Sequence, residues 1–306
     1  MTTALITHPA CLRHEPPAGH PETPARLQAV LDALSGDAFH GLKRERAPRA
    51  QLAALARVHS RAYIKALFAQ IPKEGFVMIE RDTGVSPGSR EAALRAAGAV
   101  VRGVDLVMAG EGKNAFCAVR PPGHHAEPGR AMGFCLFNNI AVGAAHARSR
   151  HGLRRIAIVD FDAHHGNGTQ AAFGTDSEFF YGSTHQSPLY PGTGQESESA
   201  NILNLPLEPG AGSAAFRRAF AQVLLPRLRR FKPEFVFVSA GFDAHRDDPL
   251  AQLKLDEEDF AWATDEVCAL AGDLCAGRVV STLEGGYDLP ALARSAQAHV
   301  QAMLAA

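Results

Sequence analysis

The feature that most constrains this fold is an alternation of short β-branched runs with longer alanine-rich stretches. Residues 114–119, 155–160, 178–182, 235–239 and 279–283 are largely apolar, the pattern of strands covered on both faces. Between and after them, residues 91–108, 138–150, 214–230, 257–274 and 290–304 place apolar side chains at helical spacing. Strand and helix taking turns predicts an α/β fold with a central, mainly parallel sheet flanked by helices. No internal repeat, low-complexity segment or linker interrupts the chain, so residues 1–306 are expected to form a single domain.

The polar residues are concentrated just beyond the strands. Val119 leads into Arg120-Pro121-Pro122-Gly123-His124-His125, and Val159 into Asp160-Phe161-Asp162-Ala163-His164-His165. Ser239 leads into Ala240-Gly241-Phe242-Asp243, and Leu283 into Glu284-Gly285-Gly286-Tyr287. Ligands of open α/β sheets bind beyond the carboxyl ends of the strands, so the clusters are expected to converge on one site.

Alternate side chains of an extended segment share a face, which aligns Asp160, Asp162 and His164 and turns Phe161 and Ala163 the other way. Asp162 and His164 suit one divalent ion, with Asp243 the natural third ligand from a neighbouring strand end. Three protein ligands leave a position for water and substrate, as in catalytic zinc sites. The competing reading is that these acids cap helices or form ion pairs. Cys11, Cys117, Cys135, Cys268 and Cys275 are scattered without a CxxC pair. That argues against a disulfide framework and against a thiolate metal site.

Composition narrows the partners. The 31 basic and 32 acidic residues leave a net charge of −1, which gives no bias toward direct nucleic-acid binding or an acidic membrane surface. No apolar run approaches the roughly 20 residues of a membrane span. The first ten residues lack the pattern of a secretion signal, so a cytoplasmic location is expected.

Taken together, Arg120 to Glu127, Gly133-Phe134-Cys135, Asp160 to Gln170, Tyr190 to Gly194, Ser239 to Pro249 and Glu284 to Tyr287 resemble the motifs of the histone deacetylase family, in family order. The resemblance runs from about His20-Pro21-Glu22 to Tyr287 and implies the arginase-deacetylase fold. It also implies a zinc-dependent amidohydrolase acting on acyl-lysine or another acylated amine. Residue by residue, it implies that Asp162, His164 and Asp243 bind Zn2+. His125 is implied as general base and His124 as its partner, bonded toward Asp160. Tyr287 is implied as the donor to the substrate oxyanion. Asn167, beside the second histidine, follows the class II pattern. A potassium site is implied near Asp160, Asp162, His164, Ser183 and Thr184.

The resemblance further implies a narrow substrate tunnel with Phe134 as one wall and Tyr190, where relatives usually have Phe, as the other. Gly133 would let the backbone approach the substrate amide. Leu250 stands at a gatekeeper position where polyamine-specific relatives carry Glu, which favours acyl-lysine over an acetylpolyamine. Arg26 is expected either to line the inner end of the site or to pair with a carboxylate. Ser86 and Ser89 match a rim serine, and Ser89 equally a helix N-cap. Two other functions use the same scaffold. A binuclear manganese ureohydrolase needs more bridging carboxylates than Asn167 and Asp243 leave. A non-catalytic binding module should have lost part of the constellation, and no part of it is missing.

Overall fold

The computed structural model describes residues 2–197 and 199–306. Its strands are β1 (Ala4–Thr7), β2 (Lys43–Arg46), β3 (Val77–Met78), β4 (Gly84–Val85), β5 (Asn114–Cys117), β6 (Ile156–Asp160), β7 (Phe179–Gln186), β8 (Ile202–Leu207), β9 (Phe235–Ala240) and β10 (Val279–Leu283). Helices α1 (Pro24–Ala33), α2 (Leu52–Leu55), α3 (Arg61–Ala69), α4 (Ser89–Met108) and α5 (Asn139–His151) fall in the first half. Helices α6 (Asn167–Phe173), α7 (Ser213–Ala219), α8 (Leu225–Phe231), α9 (Glu257–Cys275) and α10 (Leu289–Ala305) follow.

Eight strands form one sheet in the order β2-β1-β5-β10-β9-β6-β7-β8, and β3 pairs with β4 in a separate antiparallel hairpin. Every pairing in the large sheet is parallel. Because all eight strands point the same way, their carboxyl ends share one edge. Asp160 ends β6 opposite Ser239 of β9, and Leu283 ends β10 opposite Ala240. Neighbouring strands lie about 4.8 Å apart, so the loops leaving β5, β10, β9 and β6 are forced together. The expected convergence of the clusters follows from this strand order.

The central strands β5, β6, β7, β9 and β10 are buried along their length, which explains their continuous apolar runs. The strands absent from the sequence reading lie at or near the sheet edges. β2 reads Lys-Arg-Glu-Arg, alternating half-buried and exposed, and β8 contains Pro206. Charge and proline are what edge strands tolerate. β7 also runs on to Gln186, which brings Ser183 and Thr184 into the strand.

The helix expected over 214–230 is interrupted. Phe220–Leu224 forms a wider π turn between α7 and α8. Pro226 in the first turn of α8 has no amide hydrogen for the i→i−4 ladder, and the turn before it opens. Ser89 does not cap α4: Gly88 holds that position. The Ser89 hydroxyl accepts from the Ser86 amide at 2.7 Å and meets His14 Nδ1 at 2.7 Å. Ser86 and Ser89 are both buried, so neither forms a rim.

Candidate functional site

The loop leaving β6 turns back on itself through its own carboxylates. Asp160 Oδ1 accepts the Asp162 amide at 3.1 Å, and Asp162 Oδ1 accepts the His164 amide at 2.8 Å. The turn fixes Asp162 and His164 against Asp243, which follows β9 and accepts the Ala163 amide at 2.8 Å. His164 Nδ1 lies 3.0 Å from both Asp162 Oδ1 and Asp243 Oδ2. The ligand atoms of Asp162, His164 and Asp243 all fall within 4.8 Å of one another, and all three residues are buried. Burial opposes the charge of His164. The hydrogen bonds to Asp162 and Asp243 outweigh it and lift the pKa to about 10. Two carboxylates and an imidazole converging in a buried space call for a cation.

Close approach requires glycine on both sides of this trio. A Cβ on Gly241 would lie 2.0 Å from Asp162 Oδ2, and one on Gly285 would lie 2.0 Å from Asp243 Oδ2. The Gly285 amide donates to Asp162 Oδ2 at 2.8 Å.

The histidine pair after β5 is anchored through the backbone. Glu284 Oε2 accepts the Gly123 and His124 amides at 2.6 and 3.1 Å. His124 Nδ1 meets Asp160 Oδ2 at 3.0 Å, and the Tyr181 hydroxyl donates to the same oxygen at 3.1 Å. Burial disfavours charge on His124, but Asp162 and Asp160 outweigh it and raise its pKa well above the ordinary imidazole value. The neighbouring ring behaves in the opposite way. Burial, together with His124 and His164, holds the His125 pKa well below 6.5.

Asn167 sets the tautomer of His125. Its Nδ2 donates to Glu127 Oε1 at 2.8 Å, so Oδ1 faces His125 Nδ1, 2.8 Å away. His125 Nδ1 must then carry the hydrogen, which leaves Nε2 with a free lone pair.

Aromatic side chains flank this centre. The Tyr190 ring stands 5.2 Å from His125 at 88°, and Phe134 stands 6.0 Å from Tyr287 at 78°. Gly133 and Phe134 have φ of 56° and 66°. Asp82 Oδ1 and Thr83 Oγ1 hold their amides at 3.1 and 2.9 Å. A Cβ at Gly133 would strike His125, 2.4 Å from its ring. Leu250 is half-buried, and its amide donates to Asp248 Oδ1 at 2.9 Å, while the Tyr287 amide donates to Asp248 Oδ2 at 2.7 Å. Burial, then the nearby Asp243 charge, pushes the Asp248 pKa up to about 7.

Known proteins place this arrangement. A histone deacetylase domain profile matches residues 20–303. The chain belongs to the histone deacetylase family. A rice protein named histone deacetylase 10, chloroplastic, is 42% identical over 90% of this chain and 68% of its own. The mouse polyamine deacetylase HDAC10 is 38% identical over 99% of this chain and 48% of its own. The crystal structure of the HDA15 HD domain superposes with a TM-score of 0.92 at 34% identity, covering 99% of this chain and 88% of that one. The chain spans as little as 21% of the length of the relatives it matches. The fold is therefore the arginase-deacetylase fold expected from the motifs, in a family of deacetylases and generally metal-dependent amidohydrolases.

Within this deacetylase domain, every site residue expected from the sequence around the metal trio and the histidine pair lies at the same sheet edge. Ser183 and Thr184 sit side by side on β7, next to Asp160 of β6. Ser183 Oγ bonds His185 Nδ1 at 2.9 Å, whereas the buried Thr184 hydroxyl has no partner among the described residues. Arg26 pairs with a carboxylate, as one of its two expectations had it: Nη1 lies 2.9 Å from Glu22, and the guanidinium lies 4.6 Å from the Tyr287 ring centre. Residues to which the sequence reading gave no role of their own are Asp82, Arg120, Glu127, Asp248 and Glu284. Several fall inside recognised motifs, and their partners lie far away in sequence.

Proposed function

We propose that this deacetylase domain, acting over residues 1–306 as one catalytic domain, hydrolyses the amide of acyl-lysine in proteins or peptides, with zinc at Asp162, His164 and Asp243. The observation that carries the reading is the buried trio beside His125, whose Nδ1 faces the Asn167 amide oxygen. Nitrogen and carboxylate donors in this number suit zinc, with a position left open. When bound there, zinc supplies an acidified water and a Lewis-acidic contact for the amide oxygen.

The remaining chemistry falls to the side chains. Through Nε2, His125 takes the proton of the attacking water and later delivers it to the leaving amine nitrogen. His124, bonded through Nδ1 to the Asp160 carboxylate, stabilises the negative charge that develops beside it. Tyr287 stays a phenol because its pKa is raised, by burial first, and it donates a hydrogen bond to the oxyanion. Asp160 orients His124, and Asn167 orients His125. Gly133, Phe134, Tyr190 and Leu250 hold the extended acyl-lysine side chain. The unpartnered Thr184 hydroxyl supports a potassium ion near Ser183, Asp160, Asp162 and His164, where strand-end oxygens are available.

Leu250 favours acyl-lysine over an acetylated polyamine. A polyamine brings a second ammonium to the tunnel mouth, and desolvating it without a carboxylate partner is costly. Glu22 does not supply that partner, since it is buried against Arg26 and Arg120. The second reading, an acetylpolyamine hydrolase, is favoured by the name of the mouse relative. The proposed compartment is the cytoplasm, with no direct nucleic-acid or membrane partner. Among the described residues no helix is long and apolar enough to cross a membrane. Steady-state kinetics on acetyl-lysine peptides and acetylputrescine test the substrate. The peptide should show the higher kcat/KM, and Leu250→Glu should move the ratio toward the polyamine. A parent enzyme that prefers acetylputrescine would overturn the gatekeeper argument.

A further inference from the structure

A second set of convergent metal donors lies away from the strand ends, between α4 and α5. Asp105, in the last turn of α4, presents Oδ1 to His146 Nε2 at 2.8 Å and to His151 Nε2 at 2.9 Å, both on α5. The two imidazoles stand 5.8 Å apart at 72°. All three ligand atoms lie within 4.8 Å of one another. α5 begins beside the catalytic loop, where Asn139 Nδ2 donates to Pro121 O at 3.0 Å. His151 lies twelve residues further on, about 18 Å along the helix axis. The cluster is therefore separate from the deacetylase centre.

We propose that Asp105, His146 and His151 form a second divalent transition-metal site, of the zinc type, that ties the end of α4 to the end of α5. Two imidazoles and one carboxylate match the ligands of zinc and its neighbours, whereas magnesium and calcium prefer oxygen throughout. Both imidazoles turn Nε2 toward one carboxylate oxygen, so a single ion there replaces two protons that compete for the same acceptor. Ligand atoms around a tetrahedral zinc sit about 3.3 Å apart, so the side chains need to open by only ~0.4 Å. The surroundings allow it: the Asp105 and His151 side chains are 42% and 24% exposed, which also gives an entry path and room for a solvent ligand. The largest opposing charge acting on His146 is that of Arg57, whose side chain is exposed to water. Arg148, on the same helix, is engaged by Asp176 and Glu178, and Arg102, on α4, by Glu45 and Glu111.

The site is tested by metal stoichiometry, with the two centres removed one at a time. Chelator-stripped full-length protein is equilibrated with zinc, and bound metal is counted by plasma mass spectrometry, folding being checked by circular dichroism. The parent should hold two ions per chain. Asp105→Asn and His151→Ala should each hold one and keep deacetylase activity, while Asp162→Ala should keep the α4–α5 ion and the Asp162→Ala/His151→Ala double variant neither. Cobalt bound to Asp162→Ala should give a visible d–d spectrum that vanishes on adding His151→Ala. A bound-ion count left unchanged by Asp105→Asn and by His151→Ala, whether the parent holds one ion or two, would overturn the proposal whatever the catalytic metal proves to be.

Discussion

His124 and His125 are adjacent residues of one type, yet their surroundings give them opposite protonation. The carboxylate of Asp160 faces one ring, and the amide oxygen of Asn167 faces the other. This difference underlies the proposed roles of His125 as general base and His124 as its partner. Tyr287 is tied to the same centre by its backbone bond to Asp248. Tyr287→Phe should keep fold and metal but lower kcat by roughly a hundredfold, the usual cost of one oxyanion donor; an unchanged kcat would leave the hydroxyl with only a structural role. Gly285→Ala places a methyl 2.0 Å from Asp243 Oδ2 and 2.7 Å from Asp162 Oδ2. The variant should lose zinc, measured by metal analysis, while its far-ultraviolet dichroism stays close to that of the parent.

The elements are held in place around the site by a buried ionic knot. Glu22, just before α1, is buried between Arg26 of α1 and Arg120 of the loop after β5. Arg120 also donates to the Cys11 and His14 carbonyls at 3.0 and 3.1 Å. Arg26 reaches the Glu284 and Gly286 carbonyls at 2.6 and 2.5 Å. The amino-terminal segment and two catalytic loops thereby share one carboxylate. Burial raises the Glu22 pKa, but the two guanidinium groups outweigh it and bring it down from 4.5 to about 2. A carboxylate whose folded pKa is depressed contributes stability that is fully present above pH 4.5 and is lost as pH falls toward 2. Glu22→Gln strands two buried cations and should cost about 3–5 kcal/mol at pH 7, the range for breaking a buried pair. Denaturant unfolding at several pH values should show the gap between parent and variant narrowing below pH 4.5. A gap that is constant with pH would show that the ion pair contributes nothing.

Across the whole molecule, the proposed zinc ligands come from loops after β6 and β9, so an ion bound there would fasten the middle of the sheet. Removing it should lower the unfolding temperature by several degrees, and zinc should restore it. The expected linkage is about 2.7 kcal/mol when free zinc is a hundredfold above its Kd; calorimetry showing the same unfolding temperature with and without zinc would contradict the site. The central strands were legible in the sequence because burial on both faces leaves continuous apolar runs. β2 was not, since an edge strand of Lys43, Arg44, Glu45 and Arg46 carries no apolar pattern. Asp162, His164, Asp243, His124, His125 and Tyr287 were legible because local motifs carry them. Asp82, Glu127 and Asp248 were not singled out, because their partners Gly133, Asn167 and Tyr287 lie 51, 40 and 39 residues away. By itself the sequence determined the fold class, the family and the chemistry-bearing residues, since periodicity and motifs are local properties of the chain. Only the tertiary structure decided which histidine faces a carboxylate and which an amide oxygen, where Arg26 is spent, and that Asp105 meets His146 and His151, because each depends on contacts of side chains that packing brings together.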